Sequence, residues 1–126
     1  MEKGLAAMRQ IVGSNVLEQL REGTPDDQSH ILKYLAGNCF GDTYTRGGIN
    51  IPTRELLTLS TLVALGGCEP QVKGHVAANL NVGNSRAQLI EAVTQLLPFI
   101  GYPRTLNALR VINEATPQEH KCGHGA

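Results

Sequence analysis

Three residues have the types and spacing to do chemistry together: Glu55, Cys68 and His75. Cys68 stands just before Glu69-Pro70, a dipeptide suited to the first turn of a helix. The positive end of a helix favours a thiolate over a thiol. His75 follows seven residues later, two helical turns on, and so shares a face with Cys68. At a rise of about 1.5 Å per residue the two lie about 10 Å apart along the axis, too far to touch. Gln71 falls between them on the same face. Glu55 belongs to the preceding helical segment. If that segment and the next pack as an antiparallel hairpin, Glu55 approaches His75, and a carboxylate beside an imidazole fixes its tautomer and makes an acid/base unit. Each residue also has a plainer role. A buried cysteine fills core space, a glutamate in a first turn meets the helix dipole, and a histidine among Val72, Val76 and Ala77 can be a hydrogen-bonded structural group.

Helical periodicity predicts the elements that position these residues. Met8, Ile11, Val12, Val16 and Leu20 recur at helical spacing over Leu5 to Leu20. Pro25-Asp26-Asp27 opens a second helix that runs through Ile31, Leu32 and Leu35 toward Cys39 and Phe40. Arg46-Gly47-Gly48 is a loop. Asn50 caps a third helix with Pro52 in its first turn. That helix carries Leu56, Leu57, Leu59, Leu62 and Val63, is apolar on most sides, and is expected to be buried and central. Gly66-Gly67 ends it, and the Cys68 helix runs from there to about Leu80, with Gly83 as its stop. Ser85 with Gln88 forms a capping box for a fifth helix that meets Pro98. Gly101-Tyr102-Pro103 breaks the chain before a sixth, over about Arg104 to Glu114. No segment reads as a strand. The expected fold is an all-α, single-domain bundle of about six helices over residues 1–116, with 117–126 a flexible tail.

Composition narrows the function classes. The chain has 126 residues, the size of one domain. Three tyrosines and two phenylalanines are its aromatic residues and there is no tryptophan, so the core must be mostly aliphatic. Eleven basic and eleven acidic residues cancel, which argues against a nucleic-acid or anionic-membrane partner. No run approaches the roughly 18 to 20 apolar residues of a spanning helix. Met1 to Gly4 lacks the charged start and apolar run of a secretory leader, so a cytoplasmic location is expected. Cys39, Cys68 and Cys122 are odd in number and widely spaced, and read as free thiols.

Four stretches in order extend this reading. They are Phe40-Gly41-Asp42-Thr43-Tyr44-Thr45-Arg46, Thr53-Arg54-Glu55-Leu56-Leu57-Thr58-Leu59, His75-Val76-Ala77-Ala78-Asn79-Leu80-Asn81-Val82-Gly83, and Gly101-Tyr102-Pro103 with Leu106-Asn107-Ala108-Leu109. Together they resemble the carboxymuconolactone decarboxylase family over about residues 40 to 112. The resemblance implies an all-α, alkylhydroperoxidase D-like fold, subunits assembled into a ring, commonly a trimer or hexamer, and a small-molecule substrate.

It also implies one of two chemistries. The peroxidase-type branch of that superfamily uses a glutamate, two cysteines three apart and a histidine. Glu55, Cys68 and His75 match three of those positions, but Gln71 stands at the second cysteine. A dithiol relay needs a resolving thiol close by, so a thiol route would use Cys68 alone, or Cys39 or Cys122 as partner. The decarboxylase branch needs neither cofactor nor redox cysteine. Loss of carbon dioxide from a carboxylated lactone leaves a carbanion that is delocalised and then protonated. His75, oriented by Glu55, is the candidate acid, and Arg46 and Arg54 are candidate carboxylate clamps, because guanidinium binds carboxylate in bidentate fashion. A non-catalytic oligomeric binding protein is the third reading. Glu91 would add a further carboxylate if it faced inward. His120, Cys122 and His124 are dense in potential metal ligands, but no second ligand pair stands at a fixed separation, so a mobile tail and no metal are expected.

Overall fold

Two hydrophobic clusters, one in each half of the chain, decide where the helices lie. The computed structural model describes residues 1–116, which form seven α-helices and, among these residues, no strand. They are α1 (Glu2–Val12), α2 (Ser14–Gly23), α3 (Ser29–Tyr34), α4 (Ile51–Leu65), α5 (Glu69–Asn81), α6 (Arg86–Ile100) and α7 (Tyr102–Ala115). None of them is long and apolar enough to cross a membrane.

The second half is built from regular, well-terminated helices. Asn50 caps α4 by accepting from the Thr53 N–H, with Pro52 in the first turn. Gly66 and Gly67, both at φ 75°, turn the chain back so that α5 packs on α4. Ser85 and Gln88 close a reciprocal capping box at the start of α6. α6 runs on through Pro98 to Ile100 and ends at Gly101, φ 86°. The buried faces of α4 to α7 meet in a core of Leu59, Val63, Val72, Val76, Leu89 and Val93, with Val111 and Ile112.

α4 is less enclosed than its composition suggests. Its buried residues are Glu55, Leu59 and Val63, one stripe at i, i+4 and i+8. Leu57 and Leu65 are exposed. One face of α4 is central; the helix as a whole is not.

The first half departs further from its periodicity. The expected single helix over Leu5 to Leu20 is two helices, broken where Gly13 takes φ 93°. The chain turns there, and Val16 and Leu20 end up exposed while Leu17 is buried. The helix expected from Pro25 onward begins as a 3-10 turn over Asp26–Gln28, continues as α3, and widens without a break into a π-helical segment, Leu35–Thr43. At its end the Tyr44 N–H bonds to the Cys39 carbonyl five residues back, the π register. α1 lies directly against this segment. A Cβ added at Gly4 would fall 1.8 Å from the Ala36 carbonyl oxygen, so only glycine allows the two backbones to meet. Met8, Ile11, Leu17, Ala36, Phe40 and Tyr44 form the second core, and Ala78 of α5 joins it to the second half of the molecule.

Candidate active site

The site lies where these two cores meet. The antiparallel pairing of α4 and α5 places Glu55 opposite His75 and Asn79. Glu55 continues the buried stripe of Leu59 and Val63, and is itself fully buried. A buried carboxylate is costly unless hydrogen-bonded, and Glu55 is. Its Oε1 lies 2.7 Å from His75 Nδ1. Its Oε2 accepts from the Tyr44 hydroxyl at 2.7 Å. Both are short hydrogen bonds, one to each carboxyl oxygen. Asn79 Nδ2 makes a longer contact to Oε1, at 3.5 Å.

His75 is a fifth exposed at its side chain. With Nδ1 directed at Glu55, the neutral ring carries its proton on Nδ1 and leaves Nε2 as the nitrogen available to a reactant. This is the arrangement of an acid/base imidazole with a carboxylate behind it.

Further polar groups hold the pair in place. Asn79 is fully buried and bridges two helices, donating to the His75 carbonyl at 2.7 Å and the Glu55 carbonyl at 3.2 Å. Its Oδ1 accepts from Asn84 Nδ2 at 2.8 Å, and Asn84 Nδ2 also donates to the Pro52 carbonyl at 2.9 Å. The start of α4, the end of α5 and the loop after it are thus one network. On the other side, the Tyr44 hydroxyl, which gives its proton to Glu55, accepts from Thr58 Oγ1 at 2.5 Å; the Arg54 carbonyl, 3.0 Å from the same Oγ1, is the alternative acceptor of the Thr58 proton. Burial and the bond to Glu55 push the Tyr44 hydroxyl far above the ordinary phenol range. It stays protonated and serves as a donor.

The other candidate residues stand apart from the pair. Cys68 precedes the first residue of α5, as expected, and its Sγ contacts the Gly66 carbonyl at 3.5 Å. Among the described residues it makes no hydrogen bond to Glu55 or His75, in keeping with the two helical turns between them. Gln71 is exposed. Cys39, in the π-helical segment, is the thiol that senses Glu55: burial and the nearby carboxylate both push its pKa up. Arg54 is used internally, with Nη2 donating to the carbonyls of Arg46 and Gly47 at 3.0 and 2.9 Å. Its Nε is a buried donor without a hydrogen-bond partner among the described residues. Arg46 is exposed on the loop that Arg54 anchors. A cleft of about 180 Å³ lined by Thr43, Tyr44, Arg54, Leu57 and Thr58 opens beside the network. Glu91 is exposed on α6 and does not join the site, which corrects the inward-facing possibility. The described residues hold no cluster of three or more potential metal ligands. Cys122, His120 and His124 lie outside the described residues.

Sequence reasoning did not single out Tyr44, Thr58, Asn79 or Asn84. Asn79 left a signal, since it stands four residues after His75 and seven after the buried Val72, a polar side chain at an inward position. Tyr44 left none, because its approach to Glu55 depends on the π register and the loop between them.

The pattern of the Carboxymuconolactone decarboxylase family matches residues 30–114. The 4-carboxymuconolactone decarboxylase of Acinetobacter baylyi is 24% identical over 113 residues, covering 90% of this chain and 84% of that protein. An uncharacterised 15.0 kDa protein from the nqo9–nqo10 intergenic region of Paracoccus denitrificans is 31% identical over 81 residues, 64% of this chain and 60% of that one.

Proposed function

The chain belongs to the carboxymuconolactone decarboxylase family, and from that premise we propose that it performs cofactor-free acid/base chemistry, a decarboxylation, on a small carboxylated lactone or keto compound. The observation that carries this reading is the 2.7 Å pairing of fully buried Glu55 with His75, which leaves Nε2 of a partly exposed imidazole to act. The bond between the substrate carbon and its carboxylate breaks, carbon dioxide leaves, and the electron pair is delocalised into the adjoining carbonyl. The imidazolium of His75 then gives its Nε2 proton to that carbon and regains one from solvent. Glu55 stays ionised throughout and supports the charged ring. Arg46, exposed on the loop, binds a remaining substrate carboxylate. Arg54 holds that loop and lines the adjoining cleft. Cys68 takes no part in this scheme.

Turnover of 4-carboxymuconolactone, the compound in the Acinetobacter relative's name, tests the reading. His75→Ala is expected to lower kcat by about a hundredfold or more, the scale of a lost acid/base group, and Cys68→Ser to leave it within twofold. Full activity in His75→Ala overturns the proposal. Peroxide turnover that is abolished by Cys68→Ser, in a protein inert toward lactones and keto acids, would establish the thiol reading instead.

A further inference from the structure

The buried carboxylate raises a question that His75 alone does not answer. Glu55 is fully buried, and among the described residues its one ion-pair partner is His75, on Oε1. No lysine or arginine among the described residues makes an ion pair with it. Asn79 reaches the same oxygen, at 3.5 Å. Oε2 therefore depends on a single neutral donor, the Tyr44 hydroxyl at 2.7 Å. A buried anionic oxygen with no donor is strongly disfavoured.

We propose that Tyr44 is a positioning residue that acts through Glu55: its bond to Oε2 keeps the carboxylate aimed with Oε1 on Nδ1, and so determines which ring nitrogen of neutral His75 carries the proton. The proposal rests on Glu55 and His75 being the working pair. With Tyr44 donating to Oε2, Glu55 remains an acceptor, His75 donates from Nδ1, and the Nε2 lone pair faces outward. Without that donor Oε2 must turn toward another one, such as Asn79 Nδ2, 3.5 Å from Oε1, and Oε1 is drawn off Nδ1. A ring without a fixed acceptor at Nδ1 reverts to the Nε2–H tautomer that free imidazole side chains favour, and the outward nitrogen can no longer accept a proton.

The surroundings of Tyr44 fit this role. Its ring is buried and stacked on Phe40, with centroids 4.9 Å apart, so the hydroxyl has a fixed origin. The widened π register at Cys39–Tyr44 and the close seat of Gly4 on Ala36 place that ring beside α4. Thr58, 2.5 Å away, is the other partner of the hydroxyl. Among the described residues, the titratable groups that bond to Glu55 or feel its charge are Cys39 from the π-helical segment, Tyr44 at the end of that segment and His75 from α5.

The test is the 15N spectrum of histidine-labelled full-length protein at a pH where the imidazole is neutral, with His75 assigned by its loss in His75→Ala. The wild-type protein is expected to show the Nδ1–H tautomer. Tyr44→Phe, which keeps the ring and removes only the hydroxyl, is expected to move most of the population to Nε2–H. It should also lower kcat on 4-carboxymuconolactone about tenfold, with KM changed less than twofold. A wild-type tautomer pattern in folded Tyr44→Phe overturns the proposal. If Tyr44→Phe does not fold, Thr58→Val decides. It leaves Oε2 as the remaining partner of the hydroxyl, so the Nδ1–H pattern should persist, and a shift to Nε2–H overturns the proposal. Because the spectrum needs no turnover, failure of the acid/base reading shows separately, as full activity in His75→Ala.

Discussion

The bundle of α4 to α7 and the layer formed by α1, α2 and the π-helical segment solve the same packing problem differently. In the bundle each helix is terminated by local chemistry, an asparagine cap, a capping box or a glycine at positive φ, and the core is a meeting of aliphatic stripes. In the N-terminal layer backbone packs on backbone, a helix breaks at Gly13, and a second widens into π geometry. The candidate site draws from both. Glu55, His75 and Asn79 come from the regular part, and Tyr44 comes from the irregular one. Regular helices set the distance between acid and base. The irregular layer supplies the one donor that a straight α-helix over residues 35–44 would have turned elsewhere.

Three experiments break or sharpen this contrast. Gly4→Ala should have the largest effect, because its Cβ meets a carbonyl oxygen rather than a flexible side chain. A destabilisation of about 3 kcal/mol in urea unfolding is expected, the upper part of the usual range for overpacking. Unchanged stability would mean that α1 can slide off the π-helical segment freely. Next is the chemistry of Cys39. Its raised pKa leaves less thiolate at pH 8, so iodoacetamide should modify it more slowly than it modifies free cysteine. Glu55→Gln removes the nearby charge and should speed the reaction several-fold; no change would show that the two halves of the site are not electrostatically linked. The smallest effect is expected at Gly74, on the exposed side of α5, where an added Cβ meets nothing. Gly74→Ala should stabilise by about 0.5–1 kcal/mol, the ordinary gain from replacing glycine within a helix. A loss of stability there would show that the outer face of α5 is covered.

The same contrast explains how much could be read from the sequence. Asn50, Gly66-Gly67, Ser85 with Gln88, and Gly101 act within a few residues of themselves, so the helix ends they set were legible. Glu55 facing His75 was legible as a consequence of two such helices folding back on each other. Gly13 was missed because apolar spacing continues across it, and spacing does not register a turn in the backbone. The exposed Leu57 and Leu65 were missed because composition does not say which side of α4 is covered. Tyr44 was beyond reach for a different reason. Its position depends on a one-residue widening of the helical register and on Gly4, 40 residues away in sequence, and neither has a local signature.

The central claim is that Glu55 and His75 work as one unit, and a double-mutant comparison tests it most directly. Residues that act together are not additive when removed. Turnover of 4-carboxymuconolactone should therefore fall no further in the Glu55→Gln/His75→Ala double variant than in His75→Ala alone. Losses that multiply, each variant lowering kcat by its own full factor, would contradict the account.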